Sequence, residues 1–219
     1  MAYVRTDTIM LNDFLTGVIL AGGKNSRFGR AKAQEVIDGQ SMLERVIAAV
    51  SQVTENILIV ASQEKTNSLL GGYPDQRIVE DIYPGTGVLG AIYTGLHHAA
   101  TPCVLVVGCD MPFLNPHLLR YMAKVAQESR ADAIVPVFNE RFEVLHAIYF
   151  KSCIPRIQDL LAERILSVIR LLNRVKVRHI NEEEIERFDR IYSSFINVNT
   201  QVDLLTARYT LRQLSGQGE

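Results

Sequence analysis

The segment from Thr16 to Ala33 constrains this chain more than any other stretch. It reads TGVILAGGKNSRFGRAKA, an apolar run that leads into the glycine pair Gly22 and Gly23. Four cations follow before the first acid, Glu35, and they are Lys24, Arg27, Arg30 and Lys32. Glycines let backbone N–H groups approach a ligand closely, and such groups beside Lys and Arg side chains suit phosphate oxygens. The segment is therefore predicted to be a strand that leads into a cationic, polyphosphate-binding loop.

The spacing of this loop excludes two common phosphate-binding patterns. No Gly-Lys-Ser/Thr closes it, as a P-loop requires, and Gly22, Gly23 and Gly29 do not form G-x-G-x-x-G. Among its cations, Lys32 is the strongest candidate for charge neutralisation, and the forked guanidinium of Arg27 suits two phosphate oxygens. For Lys24 and Arg30, an alternative interpretation is that they belong to a solvated face and contact no phosphate.

Composition restricts the remaining possibilities. The chain has 219 residues, of which 47% are hydrophobic, and a net charge of −1, so one core is expected and no global field favours nucleic acid or a membrane surface. Its three cysteines form no C-x-x-C or metal spacing and are predicted to be buried thiols in a reducing compartment. Neither a signal peptide nor a membrane-spanning run is evident, so a cytoplasmic protein is expected. The expected organisation is an N-terminal extension at 1–15, one domain at 16–214 and a polar tail at 215–219.

Strand and helix patterns alternate along the chain. Apolar or alternating runs predict strands at 18–21, 57–61, 77–79, 103–107, 133–137, 145–150 and 175–180, with a further strand edge at 195–199. Capping and periodic patterns predict intervening helices from Ser41, at 63–70, 89–99, 116–127, 154–162 and 165–172, and after Asn181 and Thr200. This alternation favours a single α/β domain with a mainly parallel, Rossmann-like sheet, whose strand order remains open.

Two acids follow predicted strands. Asp110 comes after the run Cys103 to Val107, where open α/β sheets bind ligands, and it is either a cap or a Mg²⁺ ligand. Asp81 precedes a Pro-Gly loop and is either a turn acid or a contact for the N1–H and N2–H edge of guanine. His146 is predicted to be a satisfied core histidine. The loop and Asp110 together indicate Mg²⁺-dependent phosphoryl or nucleotidyl transfer, without distinguishing the two.

The motifs resemble those of the MobA family of nucleotidyltransferases. The opening segment matches L-A-G-G-x-x-S-R-x-G-x-x-K, and matches to four further family motifs follow in the expected order. They are D-x-x-P-G-x-G-P-L-G-G at 81–91, x-C-D-x-P at 108–112, E-P-L-H-A-x-Y at 143–149 and F-x-N-V-N-T-P-E-D-L at 195–204. The resemblance thus covers nearly the whole chain.

The resemblance implies a fold, an activity and a set of site residues. The fold is a three-layer sandwich of the nucleotide-diphospho-sugar-transferase type, with a mixed, mainly parallel sheet. The activity is Mg²⁺-dependent transfer of GMP from GTP to the terminal phosphate of molybdopterin, with release of pyrophosphate. It further implies molybdenum-insertion proteins and apo-molybdoenzymes as possible partners. By position, Leu20, Ala21, Gly22 and Gly23 would contact the nucleotide, Lys32 its phosphates, Asp81 the guanine, Asp110 the nucleotide and metal, and Asn197 and Asn199 the metal or the pterin phosphate.

Five positions depart from the family pattern. Ala31 replaces an acid, Val88, Val144 and Gln201 replace prolines, and Val60 replaces an asparagine that helps to bind the base. Two alternatives therefore stay open. The first is a cytidylyltransferase or another nucleotidyltransferase of the same fold, although Gly22-Gly23 resembles the guanylyl type. The second is a non-catalytic, nucleotide-binding accessory factor for molybdoenzyme maturation.

Overall fold

The computed structural model describes residues 11–22, 35–200, 202–206 and 209. The strands are β1 (Leu15–Leu20), β2 (Val36–Ile37), β3 (Gln40–Ser41), β4 (Ile57–Ala61), β5 (Arg77–Glu80), β6 (Cys103–Gly108), β7 (Ala133–Phe138), β8 (Arg141–Phe142), β9 (His146–Phe150) and β10 (Val177–Ile180). The α-helices are α1 (Met42–Ser51), α2 (Gln63–Gly72), α3 (Gly87–His98), α4 (Pro116–Glu128), α5 (Ile154–Ala162), α6 (Val168–Leu172) and α7 (Glu182–Glu186).

The strands of the described residues form one mixed sheet and a small hairpin. The sheet has eight strands in the order β10-β7-β9-β6-β1-β4-β5, with β8 beside β7, and β2 pairs with β3. β1 is parallel to β4 and β6, and β4 is parallel to β5. β9 alone on this path runs antiparallel to both its neighbours. The predicted single α/β sandwich with a mixed, mainly parallel sheet is confirmed.

Helices cover both faces of the sheet. α1, α4 and α7 pack with alternate strand residues such as Leu15 and Ile19 on one face. α3, α5 and α6 pack with the intervening residues, such as Val18, on the other face. Because the chain moves from the first face to the second between β5 and β6, the topology switches between β1 and β6. Open α/β sheets bind ligands at such a point, outside the carboxyl ends of the strands.

Local side-chain bonds fix several helix ends as the sequence predicts. The Ser41 hydroxyl accepts a hydrogen bond from the backbone N–H of Glu44, while the Glu44 carboxylate accepts one from the N–H of Ser41, which completes a capping box. Asn181 and Glu184 form the same arrangement at α7. α6 begins at Val168 rather than at the predicted Ile165, because the Ser167 side chain caps the helix there.

The strand edge predicted at 195–199 is wrong. A short 3₁₀ helix, Ser193–Phe195, replaces its beginning, and the residues that follow form no strand. The buried carboxylate of Asp189 holds the 3₁₀ helix by accepting hydrogen bonds from the N–H groups of Ser193 and Ser194. The predicted cap after this segment is present, since the Thr200 hydroxyl accepts from the N–H of Asp203 at 3.1 Å.

Residues shortly before β1 belong to the packed part of the chain. Leu11 is buried, and the Asn12 side chain accepts a hydrogen bond from the backbone N–H of Glu55 at 2.8 Å, so residues shortly before β1 contact the domain. The domain limits at 16 and 214 stay predictions.

The predicted burial of Cys103, Cys109 and Cys153 as free thiols is confirmed. Among the residues that the structure describes, no helix combines the length and apolarity needed to span a bilayer.

Candidate active site

The start of the glycine-rich loop lies at the topological switch point. Leu20 pairs with Val60 of β4 and with Gly108 of β6. The N–H of Ala21 donates to the carbonyl of Val60 at 2.9 Å, and the N–H of Cys109 donates to the carbonyl of Leu20 at 3.2 Å. Ala21 is buried and Gly22 is exposed. The chain therefore enters the predicted loop between the ends of β4 and β6.

Most of the loop lies outside the described residues, which resume at 35. Gly23 and both predicted catalytic cations, Arg27 and Lys32, belong to this part of the chain. Their roles stay predictions.

Asp110 lies at the same edge of the sheet, two residues beyond the end of β6. Its carboxylate folds back over Gly108, since a Cβ atom at that glycine would overlap with Oδ1 of Asp110. The absence of a side chain at residue 108 therefore leaves room for the acid. This arrangement places a carboxylate beside the beginning of the predicted phosphate loop, not on the far side of the sheet.

The C-terminal segment is held against Asp110. The N–H of Val198 donates to the carbonyl of Asp110 at 2.9 Å. Val198 is fully buried in a small satellite cluster, while its neighbours Asn197 and Asn199 are exposed. The other buried members of this cluster are Ile37, Met42, Phe113 and Leu204. The structure thus brings both predicted asparagines to the same end of β6 as Asp110.

The donor set at Asp110 suits a hard divalent cation. Within the described ranges, no group of three or more His, Cys, Asp and Glu side chains forms a metal centre. Mg²⁺ commonly binds through one or two carboxylates together with substrate phosphates and water. One carboxylate at Asp110, beside the predicted phosphate loop, would fit that requirement.

Asp81 lies three strands away from Asp110 along the same edge. Because β5, β4, β1 and β6 are consecutive in the sheet and strands lie about 4.8 Å apart, the two acids are separated by roughly 14 Å. The Oδ1 atom of Asp81 accepts hydrogen bonds from the N–H of Tyr83 at 3.1 Å and from the hydroxyl of Thr94 at 2.8 Å. Asp81 is thus a turn acid, and its second carboxylate oxygen has no hydrogen-bond donor among the described residues. Its role as a base contact stays a prediction.

The loop after Asp81 is tightly built. Gly85 and Gly87 have φ angles of +83° and +70°, which favour glycine. A Cβ atom at Gly90 would overlap with the Thr86 hydroxyl oxygen and would lie 3.0 Å from Cβ of Tyr83. The Thr86 hydroxyl itself donates to the carbonyl of Tyr83 at 2.6 Å. Gly90 therefore allows this turn to pack directly on α3.

Replacing Gly90 by alanine should lower the free energy of unfolding by about 1–3 kcal/mol, because the new methyl group overpacks the turn. The matched control is Gly71→Ala in α2, where nothing apart from its chain neighbours and the backbone of its own helix lies within 4 Å of the new Cβ. The control should raise stability by up to about 1 kcal/mol, since alanine is the better helix former. Urea unfolding of the two variants measures both changes. Equal stability of the variants would contradict the packing argument.

One cation at this edge was not singled out from the sequence. Lys65 lies in the first turn of α2, and its Nζ atom is 3.4 Å from the carbonyl oxygen of Ala21. Val60, by contrast, is only 2% exposed and packs into the core, so its side chain is not available to a ligand. No sequence pattern distinguishes Lys65 from other lysines, because its position depends on the pairing of β1 with β4.

His146 differs from the prediction in one respect. It is fully buried, as expected, but both of its ring nitrogens lack hydrogen-bond partners within the described part of the chain. Its ring contacts that of Phe195, with centroids 5.0 Å apart. Burial lowers the pKa of His146 from 6.5 to about 4, and the nearby carboxylate of Asp189 partly opposes this change.

Replacing His146 by leucine should make the protein more resistant to acid. In the unfolded chain the imidazole binds a proton below about pH 6.5, whereas in the folded chain it does so only below about 4, so wild-type stability falls as the pH decreases through this range. At pH 5 the loss is on the order of 2 kcal/mol. Denaturant unfolding at pH 7 and pH 5 should show a smaller difference for His146→Leu than for the wild type. The control is His117→Leu, the same substitution at an exposed position of α4.

Comparison with known families agrees with this geometry. Residues 17–179 match the family model described as the MobA-like NTP transferase domain. The chain belongs to the MobA-like NTP transferase family. The predicted family resemblance is thereby confirmed, and with it the nucleotidyltransferase class.

Relatives match the chain over most of its length. A probable molybdenum cofactor guanylyltransferase from Pelotomaculum thermopropionicum is 37% identical over 193 residues, which cover 88% of this chain and 91% of the relative. A molybdenum cofactor guanylyltransferase from Desulfosudis oleivorans is 31% identical, with 91% and 97% covered. The MobA-like assignment therefore extends across nearly the whole domain.

Solved structures share the fold. The crystal structure of molybdopterin-guanine dinucleotide biosynthesis protein A from Archaeoglobus fulgidus matches with a TM-score of 0.80 at 26% identity, covering 90% of this chain and 99% of that one. The 4-diphosphocytidyl-2C-methyl-D-erythritol synthase of Anaerococcus prevotii matches with a TM-score of 0.68 at 16% identity, covering 92% and 99%. The second match supports the fold alone, which is the predicted nucleotide-diphospho-sugar-transferase type.

Proposed function

We propose that this MobA-like protein transfers GMP from GTP to the terminal phosphate of molybdopterin and releases pyrophosphate. The observation that carries the proposal is the pairing of β1 with β6. It brings the start of the glycine-rich loop and Asp110 to one crevice at the switch point. Family membership and relatives named as molybdenum cofactor guanylyltransferases support the choice of substrates.

The reaction needs no nucleophile from the protein. A phosphate oxygen of molybdopterin attacks the α-phosphorus of GTP, a new P–O bond forms, and the bond from the α-phosphorus to the bridging oxygen breaks. The electron pair of that bond leaves with pyrophosphate. The protein acts by positioning the two phosphates and by stabilising the charge that gathers between them.

The proposed site residues form three groups, which would bind the phosphates, the guanine and the pterin. Backbone N–H groups at Gly22 and Gly23 and the cations Arg27 and Lys32 would bind the phosphates of GTP. Asp110 would hold Mg²⁺, which when bound neutralises phosphate charge. Two further predictions complete this arrangement, with Asp81 on the guanine side and Asn197 and Asn199 on the pterin side.

The positions of these residues suit an extended substrate. Asp81 and Asp110 lie about 14 Å apart from strand spacing, a separation that an extended nucleoside triphosphate can bridge. Asn197 and Asn199 lie close to Asp110, because Val198 between them bonds to the Asp110 carbonyl. The nucleotide would therefore run across β4 and β1, with the acceptor entering near the C-terminal segment.

The cellular setting follows from the same proposal. A biosynthetic nucleotidyltransferase with free buried cysteines suits the cytoplasm. Molybdenum-insertion proteins and apo-molybdoenzymes are the expected protein partners, because they supply the acceptor and receive the product. Nucleic acid and membranes are not expected partners.

The test is pyrophosphate release by the full chain with Mg²⁺, molybdopterin and each nucleoside triphosphate in turn. Release with GTP alone is the expected result. Release with CTP alone would identify a cytidylyltransferase, and nucleotide binding without release would identify an accessory factor. Omission of Mg²⁺ should abolish the release.

A further inference from the structure

A buried hydroxyl group on α3 lies against the carboxylate of Asp81. The Thr94 side chain is fully buried in the middle of α3. Its Oγ1 atom donates a hydrogen bond to Oδ1 of Asp81 at 2.8 Å and accepts one from the N–H of Ile82 at 3.0 Å. It also lies 3.0 Å from the carbonyl oxygen of Gly90, four residues earlier in the helix. The hydroxyl thus joins the helix to both the side chain and the backbone of the turn that follows β5.

The proton of this hydroxyl has two acceptors within reach, although a threonine has only one to donate. A threonine inside a helix ordinarily donates to the carbonyl four residues earlier, which here belongs to Gly90. The carboxylate of Asp81 is the closer acceptor and carries a charge, and a charged acceptor makes the stronger hydrogen bond. The proton therefore serves the acid at the end of β5 in addition to the helix itself.

The two carboxylate oxygens of Asp81 have different surroundings. Oδ1 accepts from the N–H of Tyr83 as well as from the buried hydroxyl of Thr94. No donor among the described residues reaches Oδ2, and the Asp81 side chain is partly exposed. Two donors from different elements hold Oδ1 in place and so oppose rotation of the carboxylate. Oδ2 is therefore the oxygen that a ligand at this edge would meet.

Gly90 allows α3 to come close enough for this contact. Residues four apart lie on the same face of a helix, so Gly90 and Thr94 share the face that packs on the turn. A Cβ atom at Gly90 would overlap with the Thr86 hydroxyl oxygen and would lie 3.0 Å from Cβ of Tyr83. The missing side chain and the hydroxyl one helical turn later therefore act together to hold the turn.

We propose that Thr94 is a positioning residue for guanine recognition, whose hydroxyl holds Oδ1 of Asp81 and so leaves Oδ2 free to accept from the N1–H and N2–H edge of the base. The inference rests on the proposed use of GTP and extends it to the residue that orients the base contact. A carboxylate that is free to rotate loses conformational freedom when it binds a ligand. A carboxylate that is already fixed avoids most of this cost.

The experiment measures the dissociation constant of GTP for the full chain by calorimetry, with Thr94→Val made in the wild type and in Asp81→Ala. Valine keeps the shape of threonine and removes the hydroxyl. It should weaken GTP binding about tenfold in the wild type, as expected for the loss of one hydrogen bond to a charged group. In the Asp81→Ala background it should weaken binding by less than about twofold, because the two residues act as a unit. Turnover at saturating GTP should stay within about twofold of the wild type, since the contact concerns the base and not the reacting phosphates.

Two further substitutions at the same position separate the hydroxyl from the packing. Thr94→Ser keeps the hydroxyl and should bind GTP like the wild type. Thr94→Ala lacks it and should bind as weakly as Thr94→Val, which preserves the test if the valine variant does not fold. The matched control is Thr54→Val, because Thr54 is also fully buried and its hydroxyl donates to the carbonyl of Leu15 at 2.8 Å, near the amino ends of β1 and β4. The control should lose stability but keep the wild-type affinity for GTP.

Unchanged GTP affinity in folded Thr94→Val would overturn the inference. An equal loss of affinity in the two backgrounds would also overturn it, because the hydroxyl would then have a structural role that does not depend on Asp81. Failure of the wild type to bind GTP would instead overturn the proposed function.

Discussion

Replacing Asp110 by asparagine should reduce pyrophosphate release by about a thousandfold or more, because a neutral amide neither holds Mg²⁺ nor balances phosphate charge. Asparagine has nearly the same shape, so it should fit over Gly108 as the acid does. The N–H of Val198 donates to the backbone carbonyl of residue 110, so the variant keeps this hydrogen bond. Initial rates of pyrophosphate release at saturating Mg²⁺ measure the effect.

The control for this variant is Asp159→Asn, the same chemical change at an acid of α5 whose side chain is 52% exposed. It should keep wild-type turnover. Circular dichroism and thermal unfolding should show both variants folded. Normal turnover in folded Asp110→Asn protein would refute the role assigned to this acid.

Replacing Lys32 by methionine should reduce pyrophosphate release by a similar factor. An ammonium about 4 Å from a phosphate oxygen contributes roughly 4 kcal/mol at an effective dielectric constant near 20, which corresponds to about a thousandfold in rate. Methionine keeps most of the side-chain length without the charge. Single-turnover rates with bound GTP would separate this effect on the chemical step from an effect on affinity.

A second lysine in the same loop provides the control. Lys24→Met makes the identical change at a position for which a solvated face is the alternative interpretation, and on that interpretation it should retain turnover within a few-fold of the wild type. If both variants lose activity equally, the loop acts through its total charge. That result would contradict the specific role assigned to Lys32.

The patterns that predicted the elements correctly are local. The apolar run 57–61 is β4, and the periodic segment 154–162 is α5, at the predicted residues. The acid after β6 is also a local signal, because any strand that ends in a parallel sheet delivers the next side chain to the ligand edge. These features needed no knowledge of which strands are neighbours.

The features that the sequence did not reveal depend on distant pairings. The antiparallel direction of β9 follows from its pairing with β6 and β7, and the contact of Lys65 with Ala21 follows from the pairing of β4 with β1. The residues at 195–199 look like a strand, yet the N–H of Val198 bonds to the carbonyl of Asp110 instead of to a neighbouring strand. In each case the deciding partner is far away along the chain.

The satellite cluster around Val198 has a consequence for the C-terminal end of the chain. Leu204 packs with Val198 and Phe113, and Phe113 lies only three positions after Asp110. Shortening the protein to end before Leu204 would therefore uncover apolar side chains immediately beside the acid. A fusion or truncation that disturbs this segment is therefore expected to lower pyrophosphate release together with stability.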